Sequence, residues 1–117
     1  MKLKKMRILG QIINIFLKNN LKVVEEDKTT TKCLGCFTST DNAIYLDTLL
    51  KKNYNQCTEV LFHEIIEAIT TLLEIELEHP TITTLSTVLY AVLNDNKMLK
   101  KINLDDVIVK EDDEAVT

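Results

Sequence analysis

His63 and Glu67 stand four residues apart in the run Leu61-Phe62-His63-Glu64-Ile65-Ile66-Glu67-Ala68-Ile69. On a helix, four steps of about 100° return two side chains to nearly the same face, one turn apart. An imidazole and a carboxylate so placed offer two ligands to one cation. Glu64 is offset by about 100°, beside the pair, where it can reach a water on that cation and take its proton without ligating. A tetrahedral catalytic zinc site needs a third protein ligand and one open position. The only other histidine is His79. It sits at the junction before a second helix, which can fold back toward the first. The expected site is therefore Zn2+ held by His63, Glu67 and His79, with water at the fourth position and Glu64 as the catalytic base. With 2 His and 10 Glu in the chain, random placement gives His-Glu-x-x-[His/Glu] in roughly 2 of 100 such sequences, so the pattern suggests a site without proving one. The competing reading makes His63, Glu64 and Glu67 the wet face of an amphipathic helix, with no metal.

Other groups carry less chemistry. Cys33-Leu34-Gly35-Cys36 is a Cys-x-x-Cys, but a zinc ribbon needs a second pair and only Cys57 remains. A redox dithiol wants an activating helix N-terminus, whereas this pair reads as strand. Tyr90 can polarise a substrate carbonyl if it faces the site; a core tyrosine is the plainer reading. Glu74 and Glu78 are expected to add negative potential near the metal.

The elements that must position these groups follow from pattern. Residues 3–17 fit helical and strand spacing alike; dense isoleucine and a central Gly10, which permits a bend, favour two strands. Residues 18–32 read as a polar connection, with a short strand around Leu21, Val23 and Val24. Residues 34–37 and 43–46 flank an Asp-Asn turn, as in a β-hairpin. Residues 47–55 read as a loop or short helical turn. Asn53 to Asn55 offer N-caps for a helix over residues 56–76, with Leu61, Ile65, Ala68, Ile69, Leu72 and Leu73 as its apolar face. Pro80 suits the first turn of a second helix. Its apolar face is expected at Ile82, Leu85, Val88, Leu89, Val92 and Leu93.

The chain has 117 residues, 45% apolar and 27% charged, which suits one soluble domain with a modest core. Acids exceed bases 18 to 14, for a net charge of −4. That balance disfavours nucleic acid and anionic membrane as partners. Arg7 is the sole arginine, so the guanidinium forks that read a duplex are missing. No apolar run reaches membrane-spanning length, and the basic–apolar start lacks a cleavage site. Three cysteines, an odd number, fit a reducing compartment. The expected location is cytoplasmic. Residues 1–109 are expected to form the single domain, and residues 110–117 an acidic, mobile tail.

The stretch from Thr58 to Ile69 resembles the active helix of minimal zincin-type metallopeptidases, closest to small phage and prophage proteins of the ImmA/IrrE kind. The resemblance continues through Glu78-His79-Pro80-Thr81-Ile82 and through Leu89 to Asn96. Upstream, Asn42-Ala43-Ile44-Tyr45-Leu46-Asp47 resembles the strand preceding that helix. About residues 33–96 are covered. The resemblance implies an α+β fold, a small antiparallel sheet packed on the active helix plus a second long helix, and strands for residues 3–17. It implies a zinc-activated water and a peptide or protein substrate. Where those proteins carry a second histidine this chain has Glu67, whose anionic oxygen gives more charge to the metal and weakens it as a Lewis acid. The alternative is a scaffold that no longer cleaves and binds a host protein or small ligand, for example to interfere with bacterial defence.

Overall fold

Strand β2 (Gln11–Lys18) alternates, with Ile13, Ile15 and Leu17 buried on one face and Phe16 on the other. That alternation is what a pleated strand between two covered faces demands. The computed structural model describes residues 4–110 and Val116. Strand β1 (Lys5–Ile8) pairs antiparallel with the first half of β2. Leu9 and Gly10 between them both hold positive φ, 49° and 81°. Two left-handed residues are what a tight two-residue hairpin needs, so the bend expected at Gly10 is present. A ribbon of β3 (Lys22–Val24) and β4 (Thr30–Lys32) follows. Then β5 (Gly35–Thr38) and β6 (Ala43–Asp47) form the expected hairpin.

The main sheet runs β1-β2-β6-β5, with β7 (Ile108–Lys110) on β2 beside β1. The fold is α+β, as expected, but the sheet is mixed. Strand β6 runs parallel to β2, and so does β7. The reason is connection length. Residues 19–42 separate β2 from β6, enough chain for a crossover that a hairpin loop cannot make.

Strand β6 is buried along its length. Ile44 and Leu46 join Ile13, Ile15 and Leu17 in the larger core, closed by Cys57, Leu61 and Ala68. Ala43 and Tyr45 face the other way and meet Leu21 and Val116 in a smaller cluster under the ribbon. Each fully buried aliphatic side chain contributes roughly 1.5–3 kcal/mol, so the larger core dominates. Asp47 ends β6 by accepting the Leu21 N–H at 2.9 Å and the Leu49 N–H at 2.9 Å. The second bond caps a 3-10 turn (Thr48–Lys52). Helix α1 (Tyr54–Leu72) starts on Asn53, whose side chain accepts the Gln56 N–H at 3.1 Å.

Helix α1 stops four residues before the Glu76 that its pattern suggests. The hydroxyls of Thr70 and Thr71 both donate to the Glu67 carbonyl, at 2.9 and 2.8 Å. Such back-bonding competes with helix continuation. Glu74 then takes φ 55°, and the Ile75 N–H returns to the Thr70 carbonyl at 2.8 Å. This is a left-handed closure made without glycine. Helix α2 (His79–Asp95) carries Pro80 in its first turn. Its packed face differs from the expected one. Ile82 and Ser86 are buried, whereas Leu85, Val88, Leu89 and Val92 are exposed. No helix among the described residues is long and apolar enough to cross a membrane. Residues 111–115 and 117 of the expected tail lie outside the described residues. Lys110 closes β7, and Val116 bridges Val23.

Gly35 sets how closely α1 approaches β5. A Cβ there would stand 2.6 Å from Val60 Cγ1 and 3.1 Å from Glu64 Cγ. Gly35→Ala is expected to cost ~1–3 kcal/mol by overpacking. Adding Val60→Ala should recover part of that loss, a coupling that denaturant titration of both single variants and the double variant measures.

Candidate metal centre

Helix α1 presents His63 and Glu67 on one face, and α2 folds back so that His79, its first residue, reaches them. His63 Nε2 lies 3.4 Å from Glu67 Oε1, and His79 Nδ1 lies 3.4 Å from the same oxygen. The two imidazole rings stand edge to face, with centroids 4.7 Å apart. One ligand atom from each of the three residues lies within 4.8 Å of the others, a grouping able to hold a metal ion. Charge-assisted N–H···O bonds run at about 2.7–2.9 Å, so 3.4 Å is long for a hydrogen bond, while it lies within ion-pair reach. Ligands about 2.1 Å from zinc in a tetrahedron stand about 3.4 Å apart, so the two nitrogen–oxygen separations suit edges of a zinc polyhedron. The expected ligand set is thus brought together.

The environments of the three differ. The His63 and Glu67 side chains are 15% and 31% exposed, and that of His79 is 72% exposed. Burial, then the neighbouring His79, holds the His63 pKa below the usual 6.5. A neutral imidazole is the form that ligates, so this shift favours metal over proton. Glu64 is buried against β5, and its carboxylate accepts a hydrogen bond from the Phe37 N–H. Burial, reinforced by the charge of Glu67, pushes it up to about 8. Sequence reasoning placed Glu64 beside the ligands but missed what fixes it. The signal was Gly35 inside a strand, which marks a close approach by another element.

Two hollows meet at this centre and share His63, Glu64 and His79. One, about 300 Å³, extends between the helices past Glu59, Thr83 and Ser86. The other, about 390 Å³, runs under the ribbon past Glu25 and Thr31. Cys33 lines both and Cys36 the second, but neither joins the ligand group. Burial and then Glu64 push their thiols up to about 11 and about 12, so both stay protonated and unreactive. The ordinary-thiol reading of the Cys-x-x-Cys fits that environment. Tyr90 is half-buried and lines neither hollow. Glu74 and Glu78 are exposed and outside the ligand group. Compared with protein-family models, curated proteins and solved structures, the chain matches none.

Two outcomes follow from this geometry. His63→Ala and His79→Ala should each lose zinc affinity by more than the ~10–100-fold that an outer-shell substitution costs. Elemental analysis of chelator-free protein, beside competition titration, measures it. Loss with His63→Ala alone would place the third ligand elsewhere. The second outcome concerns pH. The Glu64 carboxyl is raised in the fold, so between its ordinary 4.5 and about 8 the folded state holds the extra proton. Stability of the metal-free protein should therefore fall as pH rises through that window. Glu64→Gln keeps an acceptor for the Phe37 N–H and removes the charge. Its melting temperature in EDTA should exceed that of the parent at pH 8 and match it at pH 5.

Proposed function

We propose that this chain is a zincin-like, zinc-binding domain of phage or prophage type that hydrolyses peptide bonds. The observation that carries the reading is the convergence of His63, Glu67 and His79 from two helices, at separations suited to one tetrahedral ion. Bound there, zinc supplies Lewis acidity and lowers the pKa of water. The protein's own groups do the rest. His63, Glu67 and His79 would hold the ion, and three protein ligands would leave room for a water. Glu64, adjacent to His63 and held against the Phe37 N–H, takes the attacking water's proton and passes it to the leaving amine. The negative charge of Glu67 tempers the Lewis acidity, so turnover is slow. The two open hollows on either side of the centre suit an extended or flexible segment of a peptide or protein rather than a compact fold.

A second reading has a specific observation in its favour. The Glu64 carboxylate is already engaged by a backbone N–H and buried to the point of favouring its neutral form, which suits a structural carboxyl better than a free base. On that reading the chain is a metal-holding scaffold that binds a host protein or small ligand without cleaving it. Glu64→Gln separates the two. If the chain is a hydrolase, the variant holds zinc at parental stoichiometry while cleavage of an unstructured protein falls by ~10²–10⁴-fold. Parental biological effect in a variant that folds and holds zinc would establish the scaffold reading instead. Mass spectrometry of the digest and elemental analysis read both.

A further inference from the structure

The hollow of about 300 Å³ between the helices has two kinds of wall. Leu34 and Val60 line it with aliphatic carbon, and Glu59, Glu64, Thr83 and Ser86 line it with oxygen. Those oxygens are acceptors. The Thr83 hydroxyl donates to the His79 carbonyl at 3.1 Å, and the hydroxyl of the buried Ser86 donates to the Thr83 carbonyl at 2.9 Å. Each proton is committed to the helix, so what these hydroxyls still offer is lone pairs. Glu59 is half-buried, and among the described residues no lysine or arginine pairs with it. It stands one turn before His63 on α1, about 6 Å along the axis, on the face that carries Glu67 one turn after. The chain has 14 lysines and arginines, yet among the described residues none lines this hollow or the one under the ribbon.

Resting on the hydrolase reading, we infer that Glu59 makes the inter-helix hollow a subsite for a lysine or arginine side chain, so that the protein cleaves peptides beside a basic residue. The two walls match the two parts of such a side chain. Its methylene stem lies along Leu34 and Val60. Its head carries N–H donors and no acceptor, which is the complement of a lining rich in lone pairs. A hollow of about 300 Å³ is at the lower end of ligand pockets, a size for one side chain rather than a whole compact ligand. The sign of the field agrees. Glu67 and an ionised Glu64 together balance a divalent ion, so Glu59 in this hollow and Glu25 in the other decide the remaining charge. Other side chains fit worse for stated reasons. A substrate carboxylate would face Glu59 with like charge, and an aliphatic side chain would cover Glu59 without pairing it.

The test uses the full chain loaded with zinc and a peptide mixture made by cutting unrelated proteins after Asp and Glu, which leaves Lys and Arg internal. Mass spectrometry of the new termini should show Lys or Arg enriched at one fixed position beside the cut. Synthetic peptides of the best-cut sequence then carry Lys, Arg, norleucine or Glu at that position; norleucine keeps an unbranched aliphatic stem without the charge. The parent should favour Lys over norleucine by ~10–100-fold in kcat/KM, the range of a hydrogen-bonded charge pair. Glu59→Gln should remove most of that ratio, and Glu59→Lys should turn the preference toward the Glu peptide. Asp105→Asn, which removes the same charge at an exposed position outside both hollows, should keep the parental ratio. Cleavage without a basic preference, or a preference that survives Glu59→Gln, overturns the proposal and leaves the hydrolase reading standing. If the parent cuts nothing, the hydrolase reading fails, and retention of the same mixture on the immobilised zinc-loaded protein decides the subsite. Lys and Arg peptides held by the parent and by Asp105→Asn but lost with Glu59→Gln support it; retention independent of Glu59, or none, overturns it.

Discussion

The close approach of α1 to β5 is the constraint on which the rest of the molecule depends. Gly35 has no side chain, so Val60 and Glu64 lie directly on the strand. That contact presses the first half of α1 onto the sheet and buries Glu64. It also fixes the roll of the helix. With Leu61 and Ala68 turned into the core, His63 and Glu67 come to the rim where the hollows open. A helix rolled by even one residue position, about 100°, would carry the ligand pair away from α2.

The second support is the α1–α2 junction. The paired threonine hydroxyls on the Glu67 carbonyl and the left-handed Glu74 end α1 only five residues beyond Glu67. The chain therefore reverses soon enough for His79 to return to Glu67. Had α1 continued through Glu76, the reversal would start a full turn later and the first residue of α2 would stand farther from the ligand pair. The closure of one helix and the completeness of the ligand group are the same fact. The electrostatics are more local, because Glu64 and Glu67 stand three residues apart on α1 and lie near one another wherever α2 packs. The charge of Glu67 then adds to burial in favouring the neutral form of that carboxyl.

Much of this was legible in order and in pattern. The alternation of Ile13, Ile15 and Leu17, the bend at Gly10, the hairpin around the Asp-Asn turn, the cap at Asn53 and Pro80 in a first helical turn are local signals, and each is present. The His63–Glu67 pair is legible for the same reason, since a spacing of four on one helix is a local property. What pattern mistook was the destination of faces. Leu85, Val88, Leu89 and Val92 have the period of a core stripe, yet the core takes Ile82 and Ser86. Periodicity says that a stripe exists, and only packing says what lies against it.

The amino-acid sequence by itself determined the local elements, the ligand types and their register on α1, because those depend on backbone propensity and on spacing within one element. The tertiary structure alone decided that β6 lies parallel to β2, that α2 buries Ile82 and Ser86 rather than its leucine–valine stripe, that Glu64 is buried on Phe37, and that His79 closes on Glu67. Each of these joins residues distant in the chain. Their proximity is set by loop reversal and by competition among faces for a single small core, and no short window of sequence contains that information.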